Sequence, residues 1–109
     1  MTLGAVRRFA LSLPDAAEEP HFHYDSYRVR GKIFVTVPPD GTHVHVFVAG
    51  DTLAEALASH PECVEELRWG TKVAGVRVEL ASAPAALVTR LMRAAWMRKA
   101  PASLRGKVG

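Results

Sequence analysis

The sequence predicts an α+β fold, in which an antiparallel sheet of about five strands is covered by helices in the order α-β-β-β-α-β-β-α. A helical period at the start of the chain gives way to β-branched and aromatic segments separated by turn residues. Two later helical segments flank a second, shorter group of strands. Strands that follow one another in groups favour an antiparallel sheet, because parallel strands need long crossover connections. A length of 109 residues fits one domain over residues 1–109.

The strands are predicted from alternation and from the turn signals between them. Arg30-Gly31, the segment 38–42 and the segment 70–72 carry the glycine, proline and polar residues of tight turns. A short strand at residues 17–22 is a further alternative, and Pro20 would confine it to a sheet edge. The predicted strands are Tyr24–Val29, Lys32–Val37, His43–Val48, Val64–Trp69 and Val73–Leu80.

The first two helices have recognisable ends. Apolar residues recur three and four positions apart over residues 2–13, and Pro14 ends this helix. Asp51 or Thr52 is the expected N-cap of the second helix, because both side chains can accept a hydrogen bond from the first turn. Pro61 stops that helix and precedes the second group of strands.

The last helix is predicted to cover the sheet with one apolar side. Ser82 is its expected N-cap, and Pro84 suits its first turn. Arg90 and Arg93 fall on the opposite side and should face water. Residues 100–109 are small and basic, so we expect a frayed, flexible tail. The apolar side consists of Leu87, Val88, Leu91, Ala95 and Trp96.

Composition narrows the class of protein. A single cysteine, Cys63, excludes an intramolecular disulfide and suits a reducing compartment. No apolar run approaches the roughly 20 residues that cross a bilayer, so we expect a cytoplasmic protein without a membrane partner. Cys63 follows His60 by three residues, but no oxyanion-hole, phosphate-loop or metalloprotease motif accompanies them. We therefore expect a protein that is not an enzyme and has no cofactor.

Charge is distributed unevenly along the chain. Residues 1–79 carry eight basic and eleven acidic side chains, whereas residues 80–109 carry six basic and no acidic ones. The net charge of +3 is therefore the difference between a body of −3 and a tail of +6. A basic end suggests an anionic partner. The alternative is that the cations stabilise the C-terminal end of a helix through its dipole and need no partner.

Two His-x-His pairs, His21/His23 and His43/His45, raise the question of a metal site. Residues two apart on a strand share a face, so each pair could present two imidazoles to one ion. Histidines on strands are also commonly solvated or hydrogen-bonded, and no third ligand lies at a complementary spacing. We predict no metal site from these pairs, and the question stays open at this stage.

Basic residues also cluster at two predicted hairpins, where an aromatic side chain accompanies them. Such tips can contact the phosphate backbone of nucleic acid as wings do. Lysine and arginine at sheet edges also serve simply to prevent association between edges. The first hairpin carries Arg28, Arg30 and Lys32, and the second carries Arg68, Trp69 and Lys72.

Two segments resemble the MmcQ/YjbR family of small bacterial proteins: Leu11–Ala16, and Ser26–Phe34 with its Gly31-Lys32-x-Phe34 hairpin. The order of elements, Pro61 and the Trp69-Gly70 region are similar as well. The resemblance implies a compact α+β fold of the bacterial frataxin or secretion-chaperone-like class. It also implies a role in DNA binding, with two β-hairpin wings on the duplex. Frataxin-like iron binding is not expected, because the first helix has no acidic ridge.

The resulting hypothesis is a non-enzymatic DNA-binding protein that contacts backbone phosphates through its hairpins and last helix. The rival hypothesis is a small adaptor or chaperone-like module that holds a peptide or a second copy of itself on a sheet face or edge. The expected nucleic-acid-binding residues are Arg28, Arg30, Lys32, Arg68, Trp69, Lys72, Arg90 and Arg93.

Overall fold

A computed structural model describes residues 1–106 and confirms the α+β class. It contains six strands and four helices, and all strand pairs are antiparallel. In chain order these are α1 (Leu3–Ser12), β1 (Ala16–His21), β2 (Tyr24–Val29), β3 (Lys32–Val37), β4 (His43–Val46), α2 (Gly50–Ser59), β5 (Val64–Trp69), β6 (Lys72–Glu79), α3 (Ala85–Lys99) and α4 (Ala102–Arg105). The strands lie side by side in the order β1-β2-β3-β4-β6-β5.

The sixth strand is β1, which the sequence offered only as an alternative. It pairs with β2 along its whole length, from Ala16 opposite Val29 to His21 opposite Tyr24. Its other side has no neighbouring strand, so the missing N–H of Pro20 costs no ladder hydrogen bond there. The edge position therefore explains how a proline is accommodated in the sheet.

Strand β4 ends two residues earlier than expected, at Val46 instead of Val48. The chain leaves the sheet there by passing over Gly75 of the neighbouring strand β6. A Cβ atom at Gly75 would lie 2.3 Å from the carbonyl oxygen of Val46 and 3.0 Å from the Cα atom of Phe47. Glycine is thus required for this close approach. The exit leaves β4 shorter than β3 and β6 on either side of it.

Two of the predicted helix caps are wrong. Helix α2 begins at Gly50 with Ala49 at the N-cap, ahead of both Asp51 and Thr52. Helix α3 begins after Pro84, and the hydroxyl of Ser82 donates to Glu79 instead of capping the helix. Neither helix has a side-chain cap, so packing of their apolar sides rather than capping fixes where they start.

One core forms between the sheet and the helices. Trp96 of α3 is fully buried, and its indole Nε1 donates to the carbonyl oxygen of Pro14 at 3.0 Å. Residues 102–105 form the one-turn helix α4 and bury Leu104, where a frayed tail was expected. Residues 107–109 of that predicted tail lie outside the described residues. Within residues 1–106, no helix has the length and apolar character required to cross a membrane.

Candidate nucleic-acid interface

Both hairpin tips lie at the same end of the sheet. The β2–β3 turn is a two-residue loop in which Arg30 and Gly31 have φ values of 49° and 81°, as a type I′ turn requires. The β5–β6 turn places Gly70 first, with φ 66°, as a type II′ turn prefers. Strand β4 separates β3 from β6, so the two hairpins stand about two strand spacings, or roughly 10 Å, apart.

A cleft of about 760 Å³ opens between these two hairpins and extends along the sheet to the β1–β2 turn at its other end. Strand β4 ends at Val46, and the residues that follow it, Phe47, Val48 and Ala49, line the cleft. Both hairpins contribute to its lining, as do the β1–β2 turn and the C-terminal end of α3. The lining includes the side chains of Phe22, Lys32, Trp69, Lys72, Arg98 and Lys99.

Four cations from three separate elements meet around the cleft. The pKa of Lys99 is lowered by its partial burial and then by the positive charges of Arg98, Lys32 and Lys72. Arg98, Lys32 and Lys72 therefore lie close enough to Lys99 for their charges to act on it. Among the ion pairs of residues 1–106, none involves any of the four. Their mutual repulsion is uncompensated by carboxylates, so a bound anion would relieve it.

Arg98 and Lys99 belong to the basic tail of the sequence but are not among the eight predicted nucleic-acid-binding residues. Arg98 is held in position because its guanidinium Nη1 donates to the carbonyl oxygen of Phe47 at 2.9 Å. The available signal was the position of both residues in the last turn of α3, but only the fold shows that this turn ends beside the hairpins.

Three of the predicted arginines are already paired with carboxylates. Arg30 binds Asp15 at 2.7 Å and does not line the cleft. Arg28 lies 3.2 Å from Glu19 and also donates to the hydroxyl of Ser26. The third, Arg68, is 3.0 Å from a carboxylate of Glu66 two residues earlier on the same strand. Arg28 and Arg68 line the cleft with their charges partly neutralised.

Arg90 and Arg93 are not brought together with the hairpin cations. Both are exposed on α3, as predicted, but neither lines the cleft. The guanidinium of Arg93 lies over the ring of Phe9 in α1, 5.3 Å from its centroid. An α-helix advances about 100° per residue, so residues on one helix can serve opposite sides of the molecule.

The cleft also contains exposed aromatic rings. Trp69 has 63% of its surface exposed, and its ring centroid lies 5.5 Å from that of Phe47. Phe22, at the β1–β2 turn, is 88% exposed and has a positive φ of 58°. The sequence pattern pointed to Trp69 but not to the other rings of the lining, because a pattern of apolar residues does not distinguish buried rings from exposed ones. These other rings are Phe22, Tyr24 and Phe47.

His45 is a buried polar residue at the floor of the cleft. Its Nε2 atom accepts a hydrogen bond from Nη1 of Arg77 at 3.0 Å. Burial first, and then the charge of Arg77, lower the pKa of His45 to about 4, so its imidazole is neutral at pH 7. Arg77 in turn binds Asp40 at 3.0 Å and Glu65 at 3.1 Å. Through these contacts Arg77 connects the β3–β4 loop with strands β4, β6 and β5.

The two histidine pairs do not assemble a metal site. In the part of the chain that the structure describes, three potential ligand side chains come together at His60, Glu62 and Cys63 instead. The pKa of the Cys63 thiol is raised by burial and by Glu62, so the thiol form is favoured over the thiolate that a metal or a nucleophilic reaction needs.

Comparison with known proteins identifies the family. A family model for YjbR proteins matches residues 11–98. The chain belongs to the YjbR family. The YjbR fold is also similar to the crystal structure of the Deinococcus radiodurans protein DR2400, a DUF419 domain, with a TM-score of 0.77 and 18% identity. That match covers 97% of this chain and 86% of the other, and at this identity it shows the fold alone. No curated protein gives a significant match to this YjbR chain.

Proposed function

We propose that this YjbR protein binds DNA, and that the hairpin tips and the end of α3 contact backbone phosphates. The observation that carries the proposal is the meeting of Lys32, Lys72, Arg98 and Lys99 at one cleft without carboxylate partners among residues 1–106. Lysines grouped in this way can neutralise several phosphates at once, which is the main source of affinity in backbone recognition. Arg30, Arg90 and Arg93 are not part of the proposed surface.

The proposed surface can be tested with matched double variants. Lys32→Gln/Lys72→Gln removes two charges at the cleft, and Arg90→Gln/Arg93→Gln removes the same charge from the exposed side of α3. Binding of a labelled duplex is followed by fluorescence anisotropy between about 50 and 200 mM salt, where affinity falls with a log–log slope of about −0.9 for each phosphate contact. The cleft variant should lose affinity and flatten the slope by about 1.8, whereas the α3 variant should retain the slope.

Two results would refute this proposal. One is the absence of duplex binding at low salt, and the other is an equal loss in both double variants. The second would show that only the net charge of the protein matters.

The rival adaptor role would use a sheet edge or a second copy of the chain. Both edges carry features that oppose the addition of another strand: Pro20 in β1, and the adjacent Glu65 and Glu66 in β5. These features favour the DNA-binding proposal over strand addition. Measurement of the mass in solution by size-exclusion chromatography with light scattering distinguishes self-association from a monomer.

A further inference from the structure

Phosphate contacts at the hairpin tips leave the interior of the cleft unexplained. A duplex is a stiff rod, so its backbone would contact the tips and leave most of the 760 Å³ cleft along the sheet unfilled. A cavity of this size, bounded by rings and a few polar groups, is within the range that holds a small planar ligand.

The rings are placed where such a ligand would stack. Trp69 is the last residue of β5, directly before the turn, and Phe47 packs beside its indole with the ring planes inclined at 55°. Phe47 therefore restrains the indole, although 63% of Trp69 remains exposed. A large ring that is both held and exposed suits a stacking surface for another aromatic group.

Phe22 contributes a second exposed ring at the β1–β2 turn. Its backbone is in the left-handed region, with φ 58°, which is costly for a phenylalanine. The ring packs edge-on against His21 at 4.8 Å and otherwise faces the solvent, although it also lines the cleft. Trp69 and Phe22 thus border the cleft from opposite ends of the sheet, so Phe22 is not beside the hairpin tips.

Cations border the cleft together with these rings. Lys72 begins the strand that follows the turn after Trp69, and Lys32 and Lys99 reach the same space from β3 and α3. Stacking rings beside a positively charged groove are the arrangement by which proteins hold single-stranded nucleic acid. A phosphate at the lysines and a base on the indole of Trp69 would satisfy both features at once.

We propose that the cleft receives an unpaired base of single-stranded DNA, stacked on Trp69, while Lys32, Lys72 and Lys99 contact the flanking phosphates. This inference rests on the proposed function and specifies its substrate. A fully paired duplex would contact only the rim, because its bases are stacked on one another and cannot enter.

The test compares three labelled DNA probes at one salt concentration: a single strand, the fully paired duplex of the same sequence, and the single strand with abasic sites in place of its bases. The single strand should bind about 10-fold more tightly than the duplex, since stacking one base contributes roughly that factor. The abasic strand keeps the phosphates and should fall to the affinity of the duplex.

Two variants separate stacking from charge. Trp69→Ala should weaken binding of the single strand about 10-fold and leave duplex binding within about twofold, because the indole touches only the unpaired base. Lys72→Gln should weaken binding of both probes, because phosphates are common to them. Because Trp69 is exposed, Trp69→Ala should unfold at the same thermal midpoint as the wild type. This midpoint is measured before the binding experiments.

Fluorescence supplies an independent signal. The chain has two tryptophans, and Trp96 is fully buried, so quenching by a stacked base reports on Trp69. Trp69→Phe keeps a stacking ring and should lose the quenching while retaining part of the affinity.

The possible failures are distinguishable. Salt-dependent duplex binding that equals single-strand binding, or an abasic strand that binds as tightly as the intact strand, overturns this inference and leaves the proposed function standing. Absence of binding to all three probes overturns the proposed function, and this inference with it.

Discussion

Acidification should destabilise this protein through His45. The side chain is only 5% exposed, and Arg77, Asp40 and His43 are the charged or titratable groups whose fields act on it. Burial is the largest cause that lowers its pKa to about 4, and the positive charge of Arg77 adds to that effect. In the unfolded chain the same imidazole is solvated and has a pKa near 6.5.

The sign and size of the effect follow from these two pKa values. Above pH 6.5 the imidazole is neutral in both states and does not contribute to the pH dependence. Between pH 6.5 and 4 the unfolded chain binds a proton that the folded protein does not, so stability is lost as the pH falls. From pH 7.5 to 4.5 the loss is about 2–3 kcal/mol, a substantial part of the roughly 5–15 kcal/mol that holds a domain together.

Urea denaturation at a series of pH values measures this loss, with His45→Gln as the test variant. Glutamine can still accept the hydrogen bond from Arg77 but does not titrate, so the stability of this variant should be nearly constant between pH 7.5 and 4.5. Asp40→Asn is the matched control. The pKa of Asp40 is lowered to about 2, first by the hydrogen bond from the backbone N–H of Thr42. Protonation of Asp40 therefore affects the stability of the protein mainly at pH values below 3.8. An equal loss in wild type and His45→Gln would refute the reasoning.

Two further substitutions test the fold itself. Gly75→Ala should destabilise the protein by about 2 kcal/mol or more. The added Cβ would lie 2.3 Å from the backbone oxygen of Val46, which cannot rotate away. A change under about 0.5 kcal/mol in urea denaturation would contradict this close approach. Trp96→Phe should cost about 2–4 kcal/mol, because it leaves a cavity and removes the hydrogen bond to Pro14. A thermal midpoint equal to that of the wild type would contradict that packing.

Local structure was predictable where neighbouring residues determine it. Strands Tyr24–Val29, Lys32–Val37 and Val64–Trp69 have the predicted bounds. Their turns depend on glycines, and alternation over a few residues sets the buried side of each strand. The predicted starts of α2 and α3 were wrong because no side chain caps either helix. The residues near each start therefore gave no reliable signal of the helix boundary.

The candidate site depends on contacts between distant parts of the chain. Nothing in the spacing of Lys32, Lys72 and Lys99 indicates that they share a cleft, because strand order and the end of α3 are fixed by burial of the core. Likewise, the pairing of Arg30 with Asp15 joins residues 15 positions apart across a strand pair.

The sequence by itself determined the α+β class, most strand bounds, the family resemblance and the excess of positive charge at the end of the chain. The tertiary structure decided which of those charges act together. Hairpins form from interactions between near neighbours, whereas the cleft is lined by two hairpins separated by some 40 residues, with the end of β4 between them. Such an arrangement is set by long-range packing, which local sequence patterns do not encode.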